Sequence, residues 1–441
     1  MSCRRSVLLF GLALLALAAV AAGGGGTWAA FSSTTSTGPG PFSSAADWTA
    51  PSVTASVIAH SSSGPGVKAS GTYNVYANAS DTGNPASGVS TVTASVGSIT
   101  TGQTAVPLTA CSSGCTVGGT TYGYKSASVT ANSGLTGTLS YTVTPADAAG
   151  NTGTASSYSV TVDNTLPSVT AAVAAHTVAG ARIKASGTYF IYANATDSGS
   201  GVDTVTANVS NITAGQTAAT LSACSSSCTV AGTTYTYKSA ALTADSSVTA
   251  NKTYTVTATD AAGNPSSASS FTATVDNTQP GASAVATANG GSLTGKPEAG
   301  DTVTLTFSEQ IDPLTVLSGW SGSSTPMVVR ISNAGGAAHD FITFWNSTNS
   351  AQLPLGNVDL GRAGYVATGT TITFGASGTA SSMVQSGSSL TITLGTASGT
   401  TNRVTSNTTM IWNSSTTPAD LAGNLATGNA LTEGGTADAE F

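Results

Sequence analysis

Hydrophobic and polar positions alternate along most of the chain. Every second residue is apolar from Tyr189 to Ala195, from Tyr254 to Ala258 and from Val303 to Phe307. This period of two is typical of β-strands with one face on a core, and turn residues interrupt it roughly every 8–12 residues. No stretch has the convincing spacing of an amphipathic helix. The pattern therefore predicts an all-β chain built from β-sandwich domains.

A long internal repeat organises the middle of the chain. The stretch Lys68–Asp81 reads KASGTYNVYANASD, and it returns as KASGTYFIYANATD at Lys184–Asp197. The motif DAAGN occurs at Asp147–Asn151 and again at Asp260–Asn264. The loop that follows the first stretch is three residues longer in the first copy, SDTGNPASGV against TDSGSGV. Such a difference belongs at an exposed loop tip.

A shorter motif, D-x-T-x-P, marks three domain starts. It occurs at Asp47–Pro51, Asp163–Pro167 and Asp276–Pro280. Proline fixes φ and lacks an amide hydrogen, which suits a stiff join before an edge strand. Three tandem β-sandwich domains are therefore predicted. The predicted ranges are a signal peptide at 1–29, a Ser/Thr/Gly-rich spacer at 30–46, two repeats at 47–163 and 164–277, a third domain at 278–432 and a tail at 433–441.

The N-terminus reads as a targeting segment. Two arginines precede the apolar run Val7–Ala22, which is short for a membrane span and fits the hydrophobic region of a signal peptide. Thr27 and Ala29 are small residues at the positions that a signal peptidase needs, which predicts cleavage between Ala29 and Ala30. The alternative is a retained N-terminal anchor. Beyond this segment the sequence predicts no contact with a membrane.

The composition excludes several classes of function. Only 7% of the residues are charged, and 19 acids outnumber 12 basic residues, which argues against a nucleic-acid partner. Hydrophobic residues make up 40% of the chain, so the low charge does not indicate disorder. The sequence contains no H-E-x-x-H, phosphate-binding loop or nucleophile signature. We therefore predict that the protein is not an enzyme.

Two pairs of cysteines occupy the same place in the two repeats. Cys111 and Cys115 flank the residues SSG, and Cys224 and Cys228 flank SSS. A hairpin with a three-residue loop would place the two members of each pair side by side across neighbouring strands. We predict two local disulfides, with a zinc site or a redox pair as the alternatives. Cys3 belongs to the targeting segment.

Aspartates recur at the loops that a tandem sandwich gathers at one pole. Carboxylate and loop carbonyl oxygens are the ligands that Ca²⁺ takes, so this recurrence suggests a calcium site at each domain start. The alternative is turn chemistry, since Asp, Gly and Asn bond to their own backbone in turns. In the third domain, the turn with Glu309 and Asp312 replaces the middle acid of the trio, which is Asp81 in the first repeat and Asp197 in the second. The predicted ligands are Asp47, Asp81 and Asp147, then Asp163, Asp197 and Asp260, then Asp276 and Asp420.

Three segments resemble known families of exported bacterial proteins. The second repeat carries ATD-x-G-S-G-V at Ala195–Val202, both repeats carry D-x-A-G-N, and V-D-N-T-x-P occurs at the end of each; the two domains resemble bacterial immunoglobulin-like repeats, in which these signatures follow one another in this order. The third contains AGDTVTLTFSEQIDP at Ala299–Pro313 and DLAGN at Asp420–Asn424, and it resembles the immunoglobulin-like domain of bacterial S-layer proteins. The segment GGGGTWAAFSS at Gly23–Ser33 is similar to the signal region of camelysin and biofilm-fibre proteins. These resemblances imply three tandem immunoglobulin-like domains after a signal segment, with export, but no particular activity.

Two functions fit these features. The first is a non-catalytic structural or interaction protein of the cell surface or extracellular space, with its modules as a stalk. The alternative is an adhesin or glycan-binding protein that uses the third domain. Its partners would then be cell-envelope components or surface glycans. The aromatic candidates for a sugar platform, which equally suit a sandwich core, are Trp320, Trp345, Tyr365 and Trp412.

Overall fold

The computed structural model describes residues 47–333 and 339–441. The chain divides into two compact units, Met1–Asp47 and Trp48–Phe441, and the account below concerns the second. The predicted signal peptide, its cleavage site between Ala29 and Ala30 and the spacer lie outside the described residues. No helix in the described ranges has the length and hydropathy needed to cross a membrane.

The first repeat forms one hydrogen-bonded sheet. Its strands follow the order β1-β2-β5-β4-β3-β7-β8, and β6 pairs with β2. The strands are β1 (Ser52–Ala59), β2 (Thr72–Ser80), β3 (Val89–Ser95), β4 (Val106–Val117), β5 (Thr120–Ser126), β6 (Val129–Thr130), β7 (Thr138–Asp147) and β8 (Ser156–Thr161).

The second repeat closely reproduces this arrangement. The sheet order is β10-β17-β16-β12-β13-β14-β11-β15, and β9 pairs with β11 as β1 pairs with β2. The strands are β9 (Ser168–Ala175), β10 (Arg182–Ile183), β11 (Thr188–Thr196), β12 (Val202–Asn208), β13 (Ala219–Val230), β14 (Thr233–Ser239), β15 (Leu242–Thr243), β16 (Lys252–Asp260) and β17 (Ser269–Val275).

The third domain has a different strand order, β18-β19-β25-β24-β20-β21-β22-β26-β27, with β23 paired to β20. A single helical turn, α1, follows β19, and Asp312 caps it by accepting a hydrogen bond from the Leu314 amide at 3.0 Å. The elements are β18 (Ala282–Ala288), β19 (Thr302–Phe307), α1 (Pro313–Val316), β20 (Thr325–Ser332), β21 (Phe341–Asn346), β22 (Gln352–Asp359), β23 (Thr371–Phe374), β24 (Ser381–Ser386), β25 (Ser389–Thr393), β26 (Ile411–Asn413) and β27 (Ala430–Thr432).

Each sheet folds over so that two layers enclose a core. Strands from opposite ends of the hydrogen-bonded order touch one another: β1 contacts β8, β9 contacts β17 and β18 contacts β27. Each core collects the alternating apolar residues that the sequence predicted, such as Val75 and Val143 in the first repeat and Ile191 and Val256 in the second. The all-β class and the three tandem immunoglobulin-like sandwiches are therefore confirmed.

Aromatic residues fill the core of the third domain. Trp412 is fully buried and packs edge-to-face against Phe307, with ring centroids 5.0 Å apart. Tyr365 is also fully buried and packs edge-on against Phe441, whose side chain belongs to the same core. The stretch 433–441, predicted as a tail, thus ends inside the third domain.

Candidate functional site

The structure brings the predicted acids of the second repeat together. Asp163 lies in the linker after β8, Asp197 follows β11, and Asp260 ends β16. One carboxylate oxygen from each of the three lies within 4.8 Å of the others. Strand ends from both layers of a sandwich meet at its pole, which explains why residues so distant in sequence converge. The predicted calcium ligands of this repeat therefore form one cluster.

The three carboxylates of this cluster have different environments. Asp163 accepts hydrogen bonds from the amides of Ser200 (2.5 Å) and Thr165 (2.9 Å). Burial acts to raise the pKa of Asp163, but these hydrogen bonds outweigh it and lower the pKa below its ordinary value. Asp197 Oδ2 accepts from two loop amides, whereas its Oδ1 is buried without a hydrogen-bond partner in the ranges 47–333 and 339–441.

The DAAGN loop also serves as a turn. The amide of Asn264 donates to Asp260 Oδ1 at 2.7 Å, and its side-chain Nδ2 donates to Asp260 Oδ2 at 2.7 Å. The same Nδ2 donates to the carbonyl oxygen of Asp163 at 2.9 Å. Turn chemistry, the alternative to calcium, is therefore present, and the loop additionally holds the linker that precedes the domain.

The third domain builds a related cluster with Glu309 in the middle place. One carboxylate oxygen each from Asp276, Glu309 and Asp420 lies within 4.8 Å of the others, while Asp312 is occupied as the cap of α1. Burial and the nearby charges of Asp276 and Asp420 raise the pKa of Glu309 to about 7, although Arg182 opposes this.

In the first repeat, two of the predicted ligands have the same local geometry. Asp81 Oδ2 accepts a hydrogen bond from Gly88 at 2.8 Å. Asp147 accepts from the amide and the Nδ2 of Asn151 at 2.8 and 2.7 Å. Asp47, the remaining ligand of that predicted trio, is the last residue of the other compact unit.

A lysine crosses each of two domain junctions. At the first junction, defined as the contact of the first repeat with the loop Asp260–Asn264, Lys68 Nζ donates a hydrogen bond to the carbonyl oxygen of Gly263. At the second junction, defined as the contact of the second repeat with the loop Asp420–Asn424, Lys184 Nζ donates to Gly423 at 2.6 Å. The two lysines occupy equivalent positions in the repeats, so both junctions contain the same hydrogen bond from a lysine to a glycine carbonyl.

A histidine completes each junction. The Nδ1 atom of His60 forms a hydrogen bond with the carbonyl oxygen of Thr72, the first residue of β2, at 2.7 Å. The Nδ1 atom of His176 forms the equivalent bond with Thr188, the first residue of β11, also at 2.7 Å. This fixes the ring, whose other nitrogen faces a glycine of the next domain. A Cβ atom added at Gly263 or Gly423 would lie 2.7 Å from Nε2 of His60 or His176, respectively. The glycine of D-x-A-G-N is therefore needed for the close approach, as well as for its positive φ.

The linkers are fastened on both sides. The amide of Asp163 donates to the carbonyl of Val67 at 2.9 Å, and the amide of Asp276 donates to Ile183 at 2.8 Å, which ties each linker to the domain before it. Asn424 Nδ2 donates to the carbonyl of Asp276 at 2.9 Å, as Asn264 does at the first junction. Each linker is thus bonded to the preceding and the following domain.

Both predicted disulfides are present, but their geometry differs from the expected hairpin. Cys111–Cys115 and Cys224–Cys228 have Cα separations of 5.9 and 6.2 Å. The members of each pair lie on one strand, β4 or β13, where a bulge interrupts the pairing between Ala110 and Cys115 or its equivalent. The hairpin turn comes later, at Gly118–Gly119 in the first repeat. The disulfide therefore closes a bulge rather than crossing two strands.

The aromatic residues of the third domain do not form an open platform. Tyr365 and Trp412 are core residues, and Trp320 is 5% exposed. Trp345 is half-buried. The guanidinium of Arg330 lies over the Trp345 ring, and the guanidinium carbon is 3.4 Å from the ring centroid. The core alternative therefore describes Trp320, Tyr365 and Trp412, and Trp345 stacks with an arginine of its own domain.

A groove of about 660 Å³ lies between the second repeat and the third domain. Exposed apolar side chains line it from both sides, including Val178, Leu314 and Val384. Gln385 Oε1 is buried there, and no residue in the described part of the chain forms a hydrogen bond with it. Sequence reasoning missed this groove because its walls come from two domains.

No protein-family model matches the chain, and no curated protein sequence does either. Among solved structures, it is similar to the fibronectin(III)-like modules of CbhA from Clostridium thermocellum, with 14% identity, a TM-score of 0.23, and coverage of 51% of this chain and 93% of that one. It is also similar to SGBP-B of the Bacteroides ovatus mixed-linkage glucan utilization locus, with 15% identity, a TM-score of 0.15, and coverage of 74% and 71%.

A third similar structure is dimeric latent PorU from Porphyromonas gingivalis, with 12% identity and a TM-score of 0.17. That match covers 79% of this chain and only 33% of PorU. Because the TM-scores are this low, the assignment of three sandwiches stands on the strand order and the cores described above.

Proposed function

We propose that this chain is a non-catalytic spacer of a bacterial cell surface or its surroundings, in which the domains are held at fixed angles. The observation that carries the proposal is the recurrence of one junction design. Lys68 and His60 meet Gly263 at the first junction, and Lys184 and His176 meet Gly423 at the second. Domains joined only by flexible linkers would not need the same contact at both junctions.

Directional contacts distinguish these junctions from loose linkers. Domains in one chain move relative to each other by default unless the interface holds them. Here a charged donor bonds to a part-buried carbonyl, an asparagine bonds to the linker, and the alanine beside that carbonyl, Ala262 or Ala422, is fully buried. Hydrogen bonds from charged groups contribute about 1.5–3 kcal/mol each. The sum is enough to favour one relative orientation.

Location outside the cytoplasm is supported by the disulfides, which persist in oxidising compartments. The resemblance of Gly23–Ser33 to camelysin-type signal regions and of the third domain to S-layer modules supports a surface or secreted protein of a bacterium. We extend the proposal accordingly: the repeats space the third domain away from the cell envelope.

The calcium sites are part of this proposal. The cluster Asp163, Asp197 and Asp260 offers oxygen ligands at the first junction, and the buried, unpartnered Oδ1 of Asp197 supports a cation there. A bound cation would tie the linker to two loops and remove the repulsion between carboxylates. In the cluster of Asp276, Glu309 and Asp420, the ion pair between Arg182 and Asp276 already offsets part of the negative charge. We therefore propose calcium mainly for the cluster at the first junction.

Distances between spin labels on neighbouring domains test the spacer. In the full chain, labels in the bodies of the second repeat and the third domain should give one narrow distance distribution. Lys184→Met should broaden it, because the hydrogen bond to Gly423 is lost while the methylene stem is kept. Lys252→Met, in the body of the second repeat, is the matched control and should leave it narrow. A broad distribution in the unmodified chain would contradict the proposal.

The groove between the second repeat and the third domain favours the alternative of glycan binding. Its apolar walls and the unpartnered Gln385 Oε1 are the kind of lining that a sugar ring can use. Affinity electrophoresis against neutral polysaccharides tests this function. Retardation that Gln385→Ala and Leu314→Asp both abolish would support it, and unchanged mobility of the parent chain would exclude it.

A further inference from the structure

Eight asparagines stand in the pattern N-x-S/T that N-linked glycosylation requires. A chain so rich in serine and threonine produces this pattern by chance, so the motif alone decides nothing. The structure does discriminate, because a modified asparagine must be exposed and its Nδ2 atom must be free. The eight are Asn78, Asn194, Asn208, Asn211, Asn251, Asn346, Asn407 and Asn413.

Two of them occupy equivalent positions in the repeats and are committed to structure. Asn78 Nδ2 donates to the carbonyl of Thr121 at 3.0 Å, and its Oδ1 accepts from Gly123 at 2.7 Å. Asn194 makes the same pair of bonds to Thr234 (3.0 Å) and Thr236 (2.8 Å). These side chains join strand β2 to β5 and β11 to β14, and a sugar on either would break the bond.

Asn208 has the opposite geometry. It is exposed at the end of β12, and its Oδ1 accepts from the amide and the hydroxyl of Ser210, at 3.1 and 2.8 Å. The hydroxyl of the motif thus bonds the amide oxygen. Nδ2 has no hydrogen-bond partner among the described residues and projects from an ordered turn.

Asn251 lies at the same end of the second repeat. It immediately precedes β16, and β12 pairs with β16 so that Asn208 is opposite Thr255. Asn251 is exposed, its Oδ1 accepts from the Val275 amide at 3.0 Å, and its Nδ2 has no partner among the described residues. The neighbouring Asn211 differs, since its Nδ2 donates to the carbonyl of Thr253 at 2.9 Å.

The first repeat provides a natural comparison at these positions. Its equivalent residues are Ser95 in place of Asn208, Ser98 in place of Asn211 and Thr138 in place of Asn251. The turn itself is kept, because Val96 and Val209 donate to equivalent glutamine carbonyls at 2.8 and 3.0 Å. The two repeats therefore share this turn at the end of the strands and differ in whether it offers a carboxamide whose Nδ2 is free.

We propose that Asn208 and Asn251 carry N-linked glycans, which would lie at one end of the second repeat. In the reaction, the Nδ2 atom attacks the anomeric carbon of a lipid-phosphate-linked oligosaccharide on a transferase. The N–C bond forms, the bond from that carbon to the phosphate oxygen breaks, and the lipid phosphate leaves with the electron pair. Nδ2 gives up one proton to a base of the transferase. Asn407 is a further acceptor, being exposed with no hydrogen bond from its side chain among the described residues.

Site-resolved mass spectrometry of the full chain from the organism that makes it tests the proposal. Release of glycans by an amidase in heavy-oxygen water converts each modified asparagine to labelled aspartate. Label is expected at Asn208 and Asn251 and absent at Asn78, Asn194 and Asn211. Bare Asn208 and Asn251 would overturn the proposal, and so would label on Asn78 or Asn194 at the same occupancy.

Two variants made in the same organism test the loss of one glycan and the gain of another. Ser210→Ala should abolish the modification of Asn208 and leave Asn251 modified. The pair Ser95→Asn and Gly97→Ser moves the motif to the first repeat, where a Cβ at Gly97 meets nothing within 4 Å. This variant should gain one glycan there. Absence of that gain, with a melting curve like the parent's, would show that the turn does not select the site.

Discussion

Arg182 forms an ion pair with Asp276 at 2.6 Å, at the position where the first repeat carries Gly66. Between the histidine and the lysine of each repeat, Arg182 is the only charged residue in either copy, so it changes the charge balance of the second junction relative to the first. At the second junction the arginine offsets part of the negative charge of Asp276 and Glu309. At the first, a Cβ at Gly66 would lie 3.1 Å from Cβ of Ser200 and 3.3 Å from Cβ of Ala262, so a side chain there requires the second repeat to shift.

The first prediction is that calcium raises the melting temperature of the full chain, and that the first junction is responsible. A cation that binds only the folded state stabilises it by about 2.7 kcal/mol at a hundredfold excess over Kd. Asp197→Asn should abolish most of this gain, since it removes the charge of the carboxylate whose Oδ1 is unpartnered. Differential scanning calorimetry with calcium and with chelator measures the effect.

The control for calcium is Asp203→Asn, on β12 of the same repeat and outside the cluster. It should keep the full calcium response. Equal melting temperatures with calcium and chelator in the unmodified chain would leave these acids as turn residues.

The second prediction isolates the junction by comparing one substitution at three sites. Gly150, Gly263 and Gly423 share a place in the D-x-A-G-N loop and have φ values of 96°, 89° and 88°. Alanine is strained at all three, by roughly 1–3 kcal/mol. Only Gly263→Ala and Gly423→Ala also push against His60 and His176, whereas a Cβ at Gly150 meets nothing within 4 Å.

Urea denaturation should therefore show a larger loss for Gly263→Ala and Gly423→Ala than for Gly150→Ala. The extra loss is expected to be about 1 kcal/mol or more, in the range of overpacked sites. Equal losses at the three positions would mean that the histidines do not hold the next domain.

The third prediction concerns the disulfides. The chain-entropy relation gives about 2 kcal/mol for a ring of this size. The double change Cys224→Ser and Cys228→Ser should therefore lower the free energy of unfolding by up to about that amount, measured by denaturant titration. The same change at Cys111 and Cys115 serves as an internal replicate, because the bulges match. Alkylation of thiols in the unreduced folded chain at any of the four positions would contradict the pairing.

The fourth prediction is a pH effect in the third domain. Burial and the neighbouring charge of Glu433 raise the pKa of Glu440 to about 8, although Thr287 donates a 2.8 Å hydrogen bond to it. Because the raised pKa favours the protonated folded state, this residue stabilises the fold below its unfolded pKa. That contribution is lost as pH rises from about 4.5 to about 8.

Glu440→Gln removes the ionisation but keeps a similar shape. Between about pH 5 and about pH 8.5 the variant should lose on the order of 1 kcal/mol less stability than the parent, measured by urea denaturation. Glu298→Gln, on another loop of the same domain, is the control, since the pKa of Glu298 is lowered to about 2 by Lys296 and the Ser292 loop and so lies below this window. Parallel pH profiles for Glu440→Gln and the parent would contradict the prediction.

The sequence was sufficient for the sandwiches, because alternation and repetition are properties of single strands and of the chain itself. It also placed Asp163, Asp197 and Asp260 at one pole, since strand ends converge there in any sandwich. It predicted both cysteine pairs correctly but their local geometry wrongly: the spacing CSSGC allowed a hairpin, and only the pairing partners of β4 show that the turn comes at Gly118.

The junctions were beyond the sequence for a physical reason. Lys184 and Gly423 are far apart in the chain and belong to domains with different strand orders, so no periodicity links them. A signal did exist, because His60 and Lys68 recur as His176 and Lys184 although the loop between them changes sequence. The aromatic residues were ambiguous for the opposite reason, since size and polarity do not distinguish a core Trp412 from an exposed one.

The two junction contacts also determine how such a protein can be lengthened by duplication of its repeats. The second repeat presents a DAAGN loop that fits the first repeat and a lysine and histidine that fit the third domain. An extra copy of it inserted after itself would keep the lysine and histidine contacts at both ends, but it would also bring Arg182 against Ala262, where the first junction has Gly66. Lengthening by whole repeats therefore keeps the lysine, histidine and glycine contacts and requires a small residue in place of Arg182, whereas a partial duplication would leave a lysine and a histidine facing solvent.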